Sequence, residues 1–171
     1  KLDKGVLTIT GDGYMDGWNN QQEIPWYPYR GKIKKVVLSG RIENIYANAF
    51  RDHTELTEVQ LVNTITVVFN CAFQNCSSLK TVTLPDSVTS LGNQAFKDCS
   101  SLTSVKLSAN ISSLGGWTFS GCASLKSITV PAKVKSLASS VFENGPEEIF
   151  FQGNFPTNIQ NPAAYYSGAF N

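Results

Sequence analysis

Leu79-Lys80-Thr81-Val82-Thr83-Leu84-Pro85-Asp86-Ser87-Val88-Thr89-Ser90-Leu91-Gly92-Asn93-Gln94-Ala95-Phe96-Lys97-Asp98-Cys99 is one unit of a pattern that returns every 23 residues. Phe50, Phe73, Phe96, Phe119 and Phe142 keep that beat without a slip, and the other apolar positions move with them. One unit later the same positions hold Leu102, Val105, Leu107, Ser108, Ile111, Leu114, Gly115, Thr118, Phe119 and Cys122. The next unit has Leu125, Ile128, Val130, Pro131, Val134, Leu137, Ala138, Val141 and Phe142. In the other direction come His53, Leu56, Val59, Leu61, Val62, Ile65, Val68, Phe69 and Ala72, preceded by Ile33, Val36, Leu38, Ile42, Ile45 and Ala49. A fixed period of this length means stacked, similar coils in which each turn touches only its neighbours. About five such repeats fill residues 33–145, with an N-terminal cap over 1–32 and an irregular C-terminal cap, or the start of another repeat, over 146–171, all in one structural domain.

Each unit reads as a piece of backbone. Leu79-x-x-Val82-x-Leu84 ends in alternation, and its equivalents are rich in Val, Ile and Thr, so it is a short strand with Val82 and Leu84 inward. Pro85-Asp86 turns the chain, and a second extended segment runs to Leu91. Gly92, lacking a side chain, suits positive φ and close packing against the next coil. Residues Asn93 to Cys99 are too few for an independent α-helix, but one helical or 3-10 turn would point Ala95, Phe96 and Cys99 inward. Strands at one slot then lie side by side and parallel, roughly 4.8 Å apart. Each coil supplies about six large apolar side chains, each worth on the order of 1.5–3 kcal/mol when buried, before conformational entropy opposes it.

The unit L-x-x-V-x-L-P-x-x-V-x-x-L-G-x-x-A-F-x-x-C, intact over Leu79–Cys99, resembles the BspA-type leucine-rich repeat of bacterial surface proteins. The N-terminal Gly5-Val6-Leu7-Thr8-Ile9-Thr10-Gly11-Asp12-Gly13-Tyr14-Met15, followed by Pro25-Trp26-Tyr27, is similar to the cap that precedes such repeats and would supply a short hairpin and an aromatic cluster. Ile149-Phe150-Phe151-Gln152-Gly153-Asn154-Phe155-Pro156 resembles a closing strand, with Ile149 and Phe151 taking the inward places two residues early. Ala169-Phe170 looks like the start of one more coil. The resemblance implies a leucine-rich-repeat solenoid: strand-rich, with short helical or 3-10 turns, a parallel sheet on one face and a right-handed superhelix. It also implies a secreted or cell-surface bacterial protein used in adhesion, extracellular in location.

Composition narrows the remaining classes. The chain has 171 residues, 42% of them hydrophobic, and a net charge of +1 from 14 basic and 13 acidic residues. It can bury a core, yet nothing in that balance draws it to nucleic acid. No stretch of about 18 apolar residues is present, hence no membrane span is expected. No signal peptide stands at Lys1, which fits a cytoplasmic chain or one beginning after a removed signal.

Cys76, Cys99 and Cys122 share one slot, which His53 occupies a coil earlier. Four potential zinc ligands therefore form a column, but over three coil spacings they are too far apart to converge on one ion, so no metal or other cofactor is expected. Parallel Cβ directions also disfavour disulfides between neighbours, and free buried thiols are the expectation. Cys71 falls in a different slot, with Asn48, Gln94, Trp117 and Ser140, whose variety suggests the surface. The lone histidine lies in a core slot, while Glu55, Glu58, Asp86 and Asp98 form no fixed pair, so a noncatalytic protein is expected. Gly11-Asp12-Gly13 and Gly115-Gly116 are turn glycines and not phosphate loops.

Two surfaces remain as candidate sites. The outward strand slots hold Lys34 and Lys35, then Glu58 and Gln60, then Lys80, Thr81 and Thr83, then Thr103, Ser104 and Lys106, then Lys126, Ser127 and Thr129, a polar Thr-rich ribbon able to bind a host or microbial surface protein. The aromatic N-terminus, with Tyr14, Trp18, Trp26, Tyr27 and Tyr29, offers an alternative platform for a glycan, and it is equally suited to plugging the end of the stack. A structural spacer is the third reading. The expected oligomeric state is a monomer.

Overall fold

The computed structural model describes residues 1–15, 17–18 and 20–154 and the backbone of Asn158–Ile159. Phe155, Pro156 and the Ala169-Phe170 coil start lie outside the described residues.

Each coil has three sides. The first carries the alternating strand: Glu58–Gln60, Thr81–Thr83, Ser104–Lys106 and Ser127–Val130. Thr81 faces Ser104 and Val82 faces Val105 in parallel register, a displacement of one repeat. The second side carries two-residue strands, Asn44–Ile45, Val67–Val68, Ser90–Leu91, Ser113–Leu114 and Ser136–Leu137, which join with Asn158–Ile159 in one six-stranded parallel sheet. The stack closes on the first side with Glu148–Phe151, where Ile149 pairs with Ile128 and Phe151 with Val130. That register is 21 residues instead of 23, so the strand arrives two residues early.

The third side, Asn93–Cys99 and its equivalents, is a run of turns closed by i→i−3 hydrogen bonds of the 3-10 kind, with Ala95, Phe96 and Cys99 buried. Its amides alternate between two destinations. Ala95, Lys97 and Cys99 donate to Gly92, Gln94 and Phe96 in their own coil, while Gln94, Phe96 and Asp98 donate to Gly116, Thr118 and Ser120 in the next. This alternation depends on two left-handed residues per coil. One column is Asn48, Cys71, Gln94, Trp117 and Ser140, with φ between 54° and 60°; the other is Asp52, Asn75, Asp98, Gly121 and Asn144. A left-handed residue redirects the following peptide, so one helical N–H in two is aimed along the stack axis.

Positive φ therefore falls on these columns and not on Gly92, whose expected left-handed conformation is absent. Gly92 serves close packing instead: a Cβ there would come within 2.6 Å of the Asn70 amide nitrogen and 2.7 Å of the Phe69 carbonyl carbon. The slot points along the axis at the preceding coil. Phe69, placed in register with Gly92, is consequently swung outward and 37% exposed instead of joining the core.

Inside the coils the five phenylalanines form a column with successive ring centroids 5.2, 5.2, 5.6 and 6.1 Å apart and planes within 16° of parallel. The cysteines extend the regularity. Each thiol donates to the carbonyl of the phenylalanine 26 residues earlier: Cys76 to Phe50 at 3.1 Å, Cys99 to Phe73 and Cys122 to Phe96 at 3.2 Å. All four cysteines are free, and burial pushes the Cys122 thiol up to about 12. The sulfurs serve three separate carbonyls, one per coil, and do not converge.

At the N-terminus, Leu2–Asp3 turns through Lys4 and Gly5 into the long strand Val6–Gly13 and pairs with its start in antiparallel fashion. Val6–Gly13 then lies parallel to Lys35–Ile42, from Val6 opposite Lys35 to Gly13 opposite Ile42. Two 3-10 segments, Gln21–Glu23 and Tyr27–Lys32, cross the end of the stack.

Candidate functional site

The ribbon on the first side is built by alternation. Val82, Leu84, Ile128 and Val130 point into the core, so Thr81, Thr83, Ser127 and Thr129 must point out, and all four are exposed. The ends of the ribbon are tied internally. Lys35 Nζ meets Glu58 Oε1 at 2.9 Å, and Gln60 Nε2 donates to the same oxygen at 3.1 Å. The hydrogen bond from Lys35 holds the Glu58 carboxyl below its usual value, a surface effect open to screening by salt. Lys126 pairs with Glu147 at 2.6 Å. Thr103 Oγ1 donates to the Lys80 carbonyl at 3.1 Å, which ties it to the preceding coil.

Between these ties the ribbon is open. The side chains of Lys80, Thr81, Thr83, Ser104, Lys106, Ser127 and Thr129 are exposed and make no hydrogen bond or ion pair to another described residue. Lys34, at the cap end, is likewise exposed and unpaired among the described residues. Lys106 and Thr129 line a recess of about 320 Å³ with Asp86 and Gln152. Beside Thr129, in the closing strand, stands Phe150, 43% exposed. This aromatic was missed in the list of outward residues, although it is implied there: with Ile149 and Phe151 inward, the residue between them faces out.

The N-terminal aromatics divide into several roles. Trp26 stacks on Phe50 with centroids 5.6 Å apart and planes 21° from parallel, and so becomes the first ring of the phenylalanine column. Its indole Nε1 donates to the Ala49 carbonyl at 2.6 Å. Within the stack, the corresponding carbonyls of Ala72, Ala95, Thr118 and Val141 each accept from the backbone N–H of a phenylalanine one coil earlier. Trp26 thus supplies from its side chain both the ring and the donor that a preceding coil would have supplied. Gln21 does the same for the neighbouring row: its Nε2 donates to Arg51 O at 3.0 Å, where Gln74, Lys97, Ser120 and Glu143 accept from the backbone of the previous coil.

Trp18 meets Trp26 edge to face at 5.3 Å and Tyr46 at 6.0 Å, and Tyr46 leans on Phe69. The Tyr27 ring lies under the Arg30 guanidinium at 4.3 Å. Tyr14 and Tyr29 are 63% and 49% exposed. Tyr14, Trp18 and Trp26 come together at one recess of about 290 Å³, while Tyr29 and Trp26 border a second of about 340 Å³. Tyr27 borders neither of these two recesses.

His53 is fully buried, with Nδ1 3.1 Å from the Arg51 carbonyl and Nε2 without a partner. Burial pushes its pKa down, so the ring is neutral at pH 7. Among the described residues no helix is long and apolar enough to cross a membrane.

The geometry agrees with what is found among known proteins. No curated protein matches the chain. A leucine-rich-repeat protein of T. pallidum superposes with a TM-score of 0.71 at 25% identity, over 90% of this chain and 65% of that one. A leucine-rich cell surface protein of Faecalibacterium prausnitzii A2-165 superposes with a TM-score of 0.66 at 28% identity, over 72% of this chain and 34% of that one. The chain thus spans less than two thirds of the length of either structure. A leucine-rich-repeat protein from Bacteroides ovatus, 24% identical, shares the fold with a TM-score of 0.54. The family model described as BspA type leucine rich repeat region matches residues 26–147 in six copies, its first residue being the tryptophan that heads the ring column. The chain belongs to the BspA-type leucine-rich-repeat family.

Proposed function

We propose that the chain is a noncatalytic interaction module of a secreted or cell-surface bacterial protein, and that it binds a host or microbial surface protein through the exposed ribbon. The observation that carries this reading is the unengaged centre of the ribbon. Lys80, Thr81, Thr83, Ser104, Lys106, Ser127 and Thr129 stand on a rigid strand scaffold with their polar groups uncommitted to other described residues. Side chains prepositioned in this way lose little further freedom when a partner arrives. Phe150 adds an aromatic group at the end of the ribbon that has a recess, the kind of side chain that contributes disproportionately to interface energy.

The unpaired cations Lys80 and Lys106 favour a partner face bearing carboxylates, with an association rate that falls as salt rises. The test is an array of cell-surface ectodomains probed with the wild-type chain, with Lys80→Glu plus Lys106→Glu, and with Phe150→Ala. A protein ligand whose binding drops at least tenfold in the charge variant, at unchanged melting temperature, is the expected result. Ligands bound equally well by both variants would overturn the ribbon assignment.

A further inference from the structure

Trp117 is an unfavourable residue for its position. Its slot on the third side requires a left-handed backbone, with φ at 55°, and the residues that fill this slot in the other coils, Asn48, Cys71, Gln94 and Ser140, are smaller and half-buried. A bulky side chain is disfavoured at positive φ, and this one leaves its ring 39% exposed. Among the described residues the ring meets no aromatic partner and the indole N–H no acceptor. Backbone strain beneath a ring that the packing leaves open is characteristic of ligand sites.

A second exposed ring lies diagonally across the coils from it. Phe69 stands at the corner of the second and third sides, two coils before Trp117, so the two residues are separated by roughly 9.6 Å along the stack axis. Phe69 is 37% exposed and steadied from one side: it leans on Tyr46 at 5.9 Å, which in turn meets Trp18 at 6.0 Å. Asn93 belongs to the coil between, one residue past the Phe69 slot and one before the Trp117 slot, and so stands midway on the diagonal. Its neighbours in the Phe69 slot are Gly92 and Gly115, which leave the backbone around it bare. Asn93 is exposed but fixed. Its Oδ1 accepts the Gly116 N–H at 2.8 Å, and its own N–H donates to Asn70 Oδ1 at 2.8 Å. Because backbone N–H groups claim both side-chain oxygens, the open end of each amide is an NH2. Asn70 and Asn93 thus present two donors one coil apart, neither with an acceptor among the described residues. The field formed by residues 69–71, 92–94 and 115–117 contains no charged side chain.

We propose that the field from Phe69 to Trp117 binds a neutral oligosaccharide. Sugar rings n and n+2 stack on Phe69 and Trp117, and the unit between them accepts from the Asn93 amide, with Asn70 as a second donor. Each part answers a feature of a sugar chain: an aromatic face suits the C–H face of a pyranose, fixed NH2 groups suit its many acceptor oxygens, and two coils match the length of about two sugar units. A protein partner fits this field less well, since the core of a protein interface is contiguous and apolar, whereas these rings are separated by amides and bare backbone. An acidic ligand would call for a cation, and the field has none. Both rings stand on coils with a further coil on either side: Val67–Val68 lies between Asn44–Ile45 and Ser90–Leu91, and Ser113–Leu114 between Ser90–Leu91 and Ser136–Leu137. The site is thus bounded by repeats and lies apart from the ribbon of the first side.

The test is an array of neutral oligosaccharides of two to six units probed with the whole chain, followed by titration of the best binder. Binding is expected to require three units, with disaccharides weaker by about tenfold or more. Trp117→Ser, which installs the residue of the following coil, is expected to lose about tenfold in affinity with a melting temperature unchanged or raised. Asn93→Asp keeps the oxygen that Gly116 uses and replaces only the NH2, and a loss of similar size is expected. Tryptophan emission is expected to shift on titration of the wild type and to stay constant in Trp117→Ser. Tyr14→Ala at the cap recess and Lys80→Glu plus Lys106→Glu on the ribbon are expected to bind the sugar normally, which separates this site from both. An array with no binder above background, full binding by Trp117→Ser or Asn93→Asp, or affinity independent of chain length would each overturn the proposal. So would a protein ligand whose binding depends on Trp117 in place of any glycan.

Discussion

The middle of the stack and its N-terminal end solve one problem by opposite means. At Phe96 a coil is completed by near copies of itself: rings above and below at 5.2 and 5.6 Å, and a backbone N–H passed to Thr118 in the next coil. At Phe50 no coil precedes, and side chains imitate one, with Trp26 giving a ring and an N–H and Gln21 giving an amide. Repetition is robust because every element has a duplicate, whereas imitation concentrates the same tasks in two side chains. The end of a solenoid is thus chemically more demanding than its interior.

This contrast can be broken most severely in the interior. Phe96→Ala empties a site with rings on both sides and is expected to cost about 3–5 kcal/mol, measured by denaturant unfolding. A loss no larger than that of an exposed ring such as Phe150→Ala would show that the column is not a structural unit. Trp26→Phe sharpens the comparison at the cap, since it keeps a ring to stack on Phe50 while removing the N–H to Ala49 and part of the ring system that meets Trp18. The expected cost is about 1–2 kcal/mol, the consequence of one unpaired carbonyl at a partly buried site.

The third test concerns the coil next to the cap, where His53 stands in the cysteine slot. Its folded pKa is depressed below the unfolded value of 6.5, so the unfolded chain binds the proton more readily. The contribution to stability is full above the unfolded pKa and is lost as pH falls from 6.5 through the lower folded value. His53→Cys, restoring the resident of the other coils, is expected to flatten the stability profile between pH 7 and pH 5. An unchanged acid slope in that variant would assign the effect to other groups. The smallest expected effect is kinetic: a thiol reagent should modify half-buried Cys71 first, while Cys76, Cys99 and Cys122, buried and with thiol pKa values pushed up by burial, should react only through unfolding. Equal rates at Cys71 and Cys99 would contradict the inward placement of the latter.

The period of 23 made the inward columns legible, because burial selects residue type strongly enough for Phe and Cys to recur at one slot. Other slots are constrained by backbone and leave a fainter trace. Asp52, Asn75, Asp98, Gly121 and Asn144 are the residues that tolerate positive φ, so that column was open to reading. Its companion of Asn48, Cys71, Gln94, Trp117 and Ser140 gives no such hint. Spacing equates Phe69 with Gly92, while the direction of that slot, toward the preceding coil, shows only in three dimensions. Trp26 escaped the column because it precedes Phe50 by 24 residues and acts through its side chain. On the ribbon, alternation was sufficient to place the outward lysines and threonines and was sufficient for Phe150 too. Which of them were already paired depended on side-chain reach between coils, as for Lys35 with Glu58.

The alternating amides of the third side also govern how the protein would respond to being pulled. Every second N–H there is bonded to the next coil and the intervening ones stay within their own, so neighbouring coils are joined by discrete rungs and each coil keeps its local turns. Tension applied along the stack would therefore peel one coil at a time from an end instead of rupturing the whole domain. Each step would release roughly 75–85 Å of extended chain for the 23 residues freed. A tether with that behaviour yields in instalments and re-forms when the load drops.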